Sequence, residues 1–126
     1  MNLRDQDVVT YLCGAQTVRD GVLTSFSLQN CETRSTARLV FEMYLENPVR
    51  KLTLDLEDVR EIAFCWVGEG VPHYIEMLKC LWTSDNKFYL ALDPYDERDA
   101  SPSDKDNELF KSSSAVLTVE IMEAVP

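Results

Sequence analysis

Between Ala37 and Leu45 every second residue is apolar: Ala37, Leu39, Phe41, Met43 and Leu45, with Arg38 and Glu42 among the residues between them. Side chains point to opposite faces at a repeat of two only in a β-strand, so this run predicts a strand with one face in a core and the other in water. The connector NPVR carries Pro48, which presets the backbone for a turn, and it leads into Leu52, Leu54 and Leu56 alternating with Thr53, Asp55 and Glu57. The two runs predict a hairpin whose aligned apolar faces build the main core.

The same period recurs along the chain. Val22, Thr24, Phe26 and Leu28 open it, after a helix over Arg4 to Cys13 that places Val8, Val9 and Leu12 at helical spacing and is stopped by Gly14. Ile62, Phe64 and Trp66 follow the hairpin, apolar on both faces, and this run is expected at the centre of the sheet. Residues 72 to 82 fit either a helix (Tyr74, Met77, Leu78, Leu81) or a strand (Leu78, Cys80, Trp82). A polar turn at Ser84 to Asn86, followed by Phe88, Leu90 and Leu92, favours a hairpin. Ala115, Leu117, Val119 and Ile121 form the last strand. The sum is an α+β fold of mostly antiparallel β: a short N-terminal helix packed on a curled meander sheet or small sandwich of about seven strands. With 126 residues the chain fits a single domain, residues 1–126, and the one long stretch without a period, about 93–112, reads as an acidic loop insertion.

Charge narrows the function classes. The chain carries a net charge of −10, and the stretch from Asp93 to Glu108 holds seven acids against Arg98 and Lys105. A field of that sign repels phosphate backbones and anionic lipids, so nucleic-acid and membrane partners are not expected, and a basic protein partner is allowed but not demanded. No apolar run approaches the length of a membrane helix, and MNLRDQD has no basic region leading into an apolar one; a cytoplasmic protein is expected. Cys13, Cys31, Cys65 and Cys80 form no CxxC pair, so reduced thiols rather than a zinc or redox centre are expected.

Most catalytic and metal chemistries lack their residues. Asp104, Asp106 and Glu108 have the alternate spacing of the first ligands of an EF-hand loop. However, Leu109 stands where that loop needs glycine and Ala115 where it needs a bidentate glutamate. His73 is the sole histidine, and no nucleophile, phosphate-cradling or metalloprotease motif accompanies it. Asp55, Glu57, Asp58 and Glu61 are dense enough for paired-carboxylate hydrolysis, yet Asp55 and Glu57 lie on the polar side of a strand whose other face is three leucines. No catalytic residue, metal site or cofactor is therefore assigned.

The order YLCGAQ, then VRDGVLTSFSL, then a late apolar strand SSAVLTVEI, resembles small bacterial immunity-like proteins of polymorphic toxin systems and related β-rich families. In several of these a His-Asp pair opens the first strand; Arg19 and Asp20 stand at those positions here, so the histidine is missing. The resemblance implies a non-catalytic protein that binds and blocks a toxin domain, and the acidic balance suits a basic target. The residues assigned to partner binding are Asp93, Asp96, Glu97, Asp99, Asp104, Asp106 and Glu108. The rival reading is a small-molecule or enzymatic domain with a pocket between helix and sheet near Trp66, His73 and Trp82, and a third is a structural subunit of a larger assembly.

Overall fold

A computed structural model of the chain describes residues 1–30, 32–46, 48–64 and 73–122. In chain order these form β1 (Asn2–Arg4), α1 (Gln6–Cys13), β2 (Val22–Asn30), β3 (Ser35–Met43), β4 (Arg50–Ala63), β5 (His73–Tyr74), β6 (Lys79–Trp82), β7 (Phe88–Asp93) and β8 (Asn107–Ile121). The α+β class with a helix on a curled antiparallel sheet is the observed one.

The expected hairpin of β3 and β4 is present, pairing Leu39 with Leu54 and Phe41 with Leu52. β3 ends at Met43, so Leu45, expected on the inward face, lies past the strand and is exposed, while β4 is longer than the alternation alone suggests. β4 runs 14 residues, because the leucine run and the Ile62 run belong to one strand. The interruption between them is a bulge: the register with β8 shifts between Val59 and Glu61, and Asp58 takes a positive φ of 54°. An extra residue there bends the strand: Val59 packs against the core out of step with Leu56 before it and Ile62 after it, and this is the break between the two apolar runs. Trp66, at the far end of that run, lies outside the described residues. Two further corrections concern the ends of the chain. Asn2–Arg4 is a strand, which takes Arg4 out of the expected helix, and it pairs with β8 through Leu3 and Leu117. The last strand begins at Asn107 and not near Ala115, so the acidic insertion ends at Asp106.

The strand order is β5-β2-β3-β4-β8-β7-β6, two meanders joined along the long strands β4 and β8. The two outermost strands, β5 and β6, are neighbours in the chain with only residues 75–78 between them. A span that short reaches at most about 17 Å when extended, so the sheet must curl until its edges face one another. Ile75 reinforces this by donating from its backbone N–H to Gly21 and accepting from that of Asp20. Packing favours glycine at position 21, since a Cβ there would crowd the Met43 side chain and lie 3.0 Å from the Val18 carbonyl oxygen. Residues 72 to 82 thus contain no helix among those described: Ile75 and Leu78 turn into the core between two short strands.

Leu39 and Phe41 of β3, Leu54 of β4, Leu90 of β7 and Phe110 and Leu117 of β8 fill the inside of the curl, and Val8 and Leu12 of α1 cover it. Arg50 occupies the same inward phase as Leu52 and Leu54 but is only 4% exposed. Its guanidinium donates to Gln16 Oε1 at 2.7 Å, to Thr17 O at 3.3 Å and to Glu46 Oε1 at 2.9 Å, as well as to the Tyr11 hydroxyl. Nε lies 2.9 Å from the other Glu46 oxygen, an ion pair off line for a hydrogen bond. Arg50 therefore ties α1 and the loop after it to the sheet.

Candidate functional site

The acidic stretch folds over the outer face of β6, β7 and β8. Alternation in those strands turns Leu81, Tyr89, Ala91 and Leu109 outward, where they form a second, smaller apolar cluster. Lys79 starts β6 on the same face, and both it and Asp106 are buried. Lys79 Nζ donates to Asp106 Oδ2 at 2.8 Å, the Tyr89 hydroxyl donates to the same oxygen at 2.5 Å, and the backbone N–H groups of Tyr95 and Ser103 reach the carboxylate at 3.0 and 3.2 Å. Burial pushes the Asp106 carboxyl up, but the donors from Lys79, Tyr89 and Tyr95 together outweigh it and hold it below the usual carboxylate range. Burial, with Asp106 beside it, pushes the Tyr89 phenol well up. The loop is fastened to the sheet at its end by a buried charge pair.

Asp106 consequently faces inward and is withdrawn from the set assigned to partner contact. Glu108 is withdrawn as well: it sits on β8 and pairs with His73, Nε2 to Oε2 2.8 Å. Burial raises the Glu108 carboxyl, as does Asp93, while His73 acts against both. The remaining five, Asp93, Asp96, Glu97, Asp99 and Asp104, are exposed. Asp96 accepts from the Arg98 N–H and Asp99 from the Ser101 N–H, so each caps a local turn. Glu97 pairs with Arg19 at 3.1 Å and accepts from the Leu78 N–H at 3.3 Å, a second fastening near the middle of the loop.

Of the rival pocket, His73 lies on β5 with its ring edge-on to Phe64, which packs in turn against Phe26 and Phe110 at centroid distances of 5.3 Å. Trp82 is packed against the main core at the end of β6. Neither lines any of three cavities of about 560, 330 and 210 Å³. The largest is a polar groove on the outer face of β2, β3 and β4, where Arg38 grips Asp55 with two hydrogen bonds of 2.7 and 3.3 Å and Arg4 approaches Glu57 at 3.8 Å. Asp58 accepts from Arg60 and from Ser113 Oγ. These carboxylates are engaged in ion pairs across the water-facing side, and among the described residues no group of three or more His, Cys, Asp or Glu is placed to hold a metal ion. No helix among the described residues is long and apolar enough to cross a membrane.

Sequence reasoning missed Lys79 and Arg50. The signal for Arg50 was its phase, in step with three leucines; for Lys79 it was a cation opening the apolar run KCLW. Asp106 carried none, since nothing local distinguishes it from Asp104 two residues earlier. Comparison of the chain with family models, curated proteins and solved structures returns no match.

Proposed function

We propose that the chain is a non-catalytic protein-binding domain of the bacterial cytoplasm, an immunity-type inhibitor of a basic toxin domain. Its contact surface is the acidic loop, through Asp93, Asp96, Glu97, Asp99 and Asp104. The observation that carries the reading is the fastening of that loop. Its exposed carboxylates ride on a segment held by the buried Lys79 and Asp106 pair and by Glu97, so a partner meets a surface already ordered and little further ordering opposes binding. The net charge of −10 adds a long-range field that draws a basic partner toward it. The resemblance in YLCGAQ and VRDGVLTSFSL points the same way. Of the rival pocket's residues, His73 and Trp82 line none of the three described cavities and Trp66 lies outside the described residues.

The test is association with a cationic toxin nuclease domain, followed by surface plasmon resonance at two salt concentrations. Asp96→Asn, Asp99→Asn and Asp104→Asn together preserve the acceptors that cap the turns and remove three charges. The association rate should fall about tenfold with its salt dependence flattened, while dissociation changes less. A variant that associates as fast as the original, with the same response to salt, would remove the loop from the interface.

A further inference from the structure

The C-terminus of α1 meets β6 through two cysteines. Cys13 is the last residue of the helix and is exposed; Cys80, paired with Leu90 on β7, belongs to the main core and is buried. As a thiol, Cys13 donates through Sγ to the Cys80 carbonyl oxygen at 3.1 Å. Both line the cavity of about 210 Å³ between α1, β6 and the acidic loop, whose exposed polar rim is Arg19, Glu97, Arg98 and Asp99, with the buried Lys79 at its base. One thiol opens to solvent in a cleft of mixed charge, and a second stands directly behind it. The binding reading uses neither.

We propose that Cys13 and Cys80 form a thiol–disulfide exchange site for low-molecular-weight peptide disulfides, with Cys13 as the attacking and Cys80 as the resolving sulfur. The cations and carboxylates of the rim match the ammonium and carboxylate groups of such a peptide. In the first step the Cys13 thiolate attacks one sulfur of the reagent, the reagent's S–S bond breaks, and the departing thiolate takes a proton from water. In the second, Cys80 gives its proton to water and attacks the Cys13 sulfur, releasing the other half of the reagent as a thiol. Two protein thiols are oxidised by two electrons and one small disulfide is reduced to two thiols.

The electrostatics assign the order of the steps. The hydrogen bond from the Cys80 thiol lowers the Cys13 pKa, burial opposes it and Arg19 adds to it, and the result is about 7. Burial pushes Cys80 up, and Cys13 beside it adds to that, so Cys80 keeps its proton until its neighbour has reacted. Against an ordinary thiol of pKa about 8.5, the thiolate fraction at pH 7 is about fifteenfold higher and the intrinsic nucleophilicity about fivefold lower, leaving attack about threefold faster. The second step is the slow one. The resulting bond joins α1 to β6, whose first residue Lys79 holds Asp106 and whose preceding residue Leu78 holds Glu97 through its N–H.

The experiment treats the full chain, with Cys31→Ser and Cys65→Ser, with oxidised glutathione and follows intact mass and peptide maps. A glutathionyl adduct on Cys13 should appear first and give way to a species lighter than the starting protein by two hydrogens, in which Cys13 and Cys80 are linked. With Cys80→Ala the adduct should accumulate, and with Cys13→Ser neither product should form. Because Cys80→Ala removes a core side chain, a second measurement uses the unaltered pair: alkylation of Cys13 should be half-maximal near pH 7 and about threefold faster at that pH than alkylation of a blocked cysteine peptide whose thiol has the ordinary pKa of about 8.5, the fold-change given by thiolate fraction and nucleophilicity. An adduct that persists with both cysteines present, or an alkylation midpoint at the ordinary thiol value, would overturn the assignment.

Discussion

Lys79 and Asp106 bring opposite charges together with side chains 1% and 0% exposed. Such a pair contributes little over two apolar groups of the same volume, whereas removing one partner leaves a charge stranded. Lys79→Met should therefore cost about 3 to 5 kcal/mol, and adding Asp106→Leu should recover part of the loss. Urea titrations of the two single variants and the double would show this as strong non-additivity; simple addition of the two losses would mean that water reaches the pair. The pH dependence has a definite sign. The folded-state pKa of Asp106 is lowered, so its contribution is complete above the unfolded value of about 3.9 and is lost as pH falls through the folded one. Glu108, raised by burial, works in the opposite sense: its contribution is present below its unfolded value and is lost as pH rises through the folded one.

Among the elements, the β3 and β4 hairpin carries the clearest contrast between faces. Phe41 is completely buried and Glu42, the next residue, points to the water side. Phe41→Ala should cost about 3 to 5 kcal/mol and Glu42→Ala well under about 1. Equal losses in a denaturant titration would mean that the strand's register is wrong. That hairpin was legible because a period of two over the four positions from Ala37 to Met43 has no other structural solution. The bulge between Val59 and Glu61 was not, since it depends on how β4 must bend to stay paired with β8, and the apolar runs on its two sides keep the same alternating phase. Asn2–Arg4 was equally hidden: three residues are too few to establish a period, and they become a strand only because β8 offers them an edge. The acidic loop was half legible. Its exposed carboxylates follow from composition, but which one turns inward depends on Lys79, 27 residues away.

At the scale of the molecule, β8 serves both meanders at once. One of its edges runs the length of β4, and the other is shared, with β7 along its first half and β1 along its second. Asp5 fills the junction between these two partners: its N–H donates to the Ala115 carbonyl at 2.9 Å, and its carboxylate accepts from the Ala115 N–H and from Ser114 Oγ. The pairing of Asn2 with Thr118 thus unites nearly the full length of the chain. Contacts so distant in sequence form only after the intervening loop has lost most of its freedom, which sets a time order on assembly. Refolding should take on the order of milliseconds to seconds, with the two meanders collapsing first and the N-terminal strand arriving last. Leu3, packed against the main core from β1, reports on that step. In stopped-flow chevrons Leu3→Ala should speed unfolding and leave the folding rate nearly unchanged, whereas Leu54→Ala should slow folding. If Leu3→Ala slowed folding as much, the N-terminal strand would belong to the nucleus. On the expected order, every molecule passes through an interval in which the Val116 to Thr118 edge of β8 has no partner, and in that interval a second newly made chain can lend its own first strand.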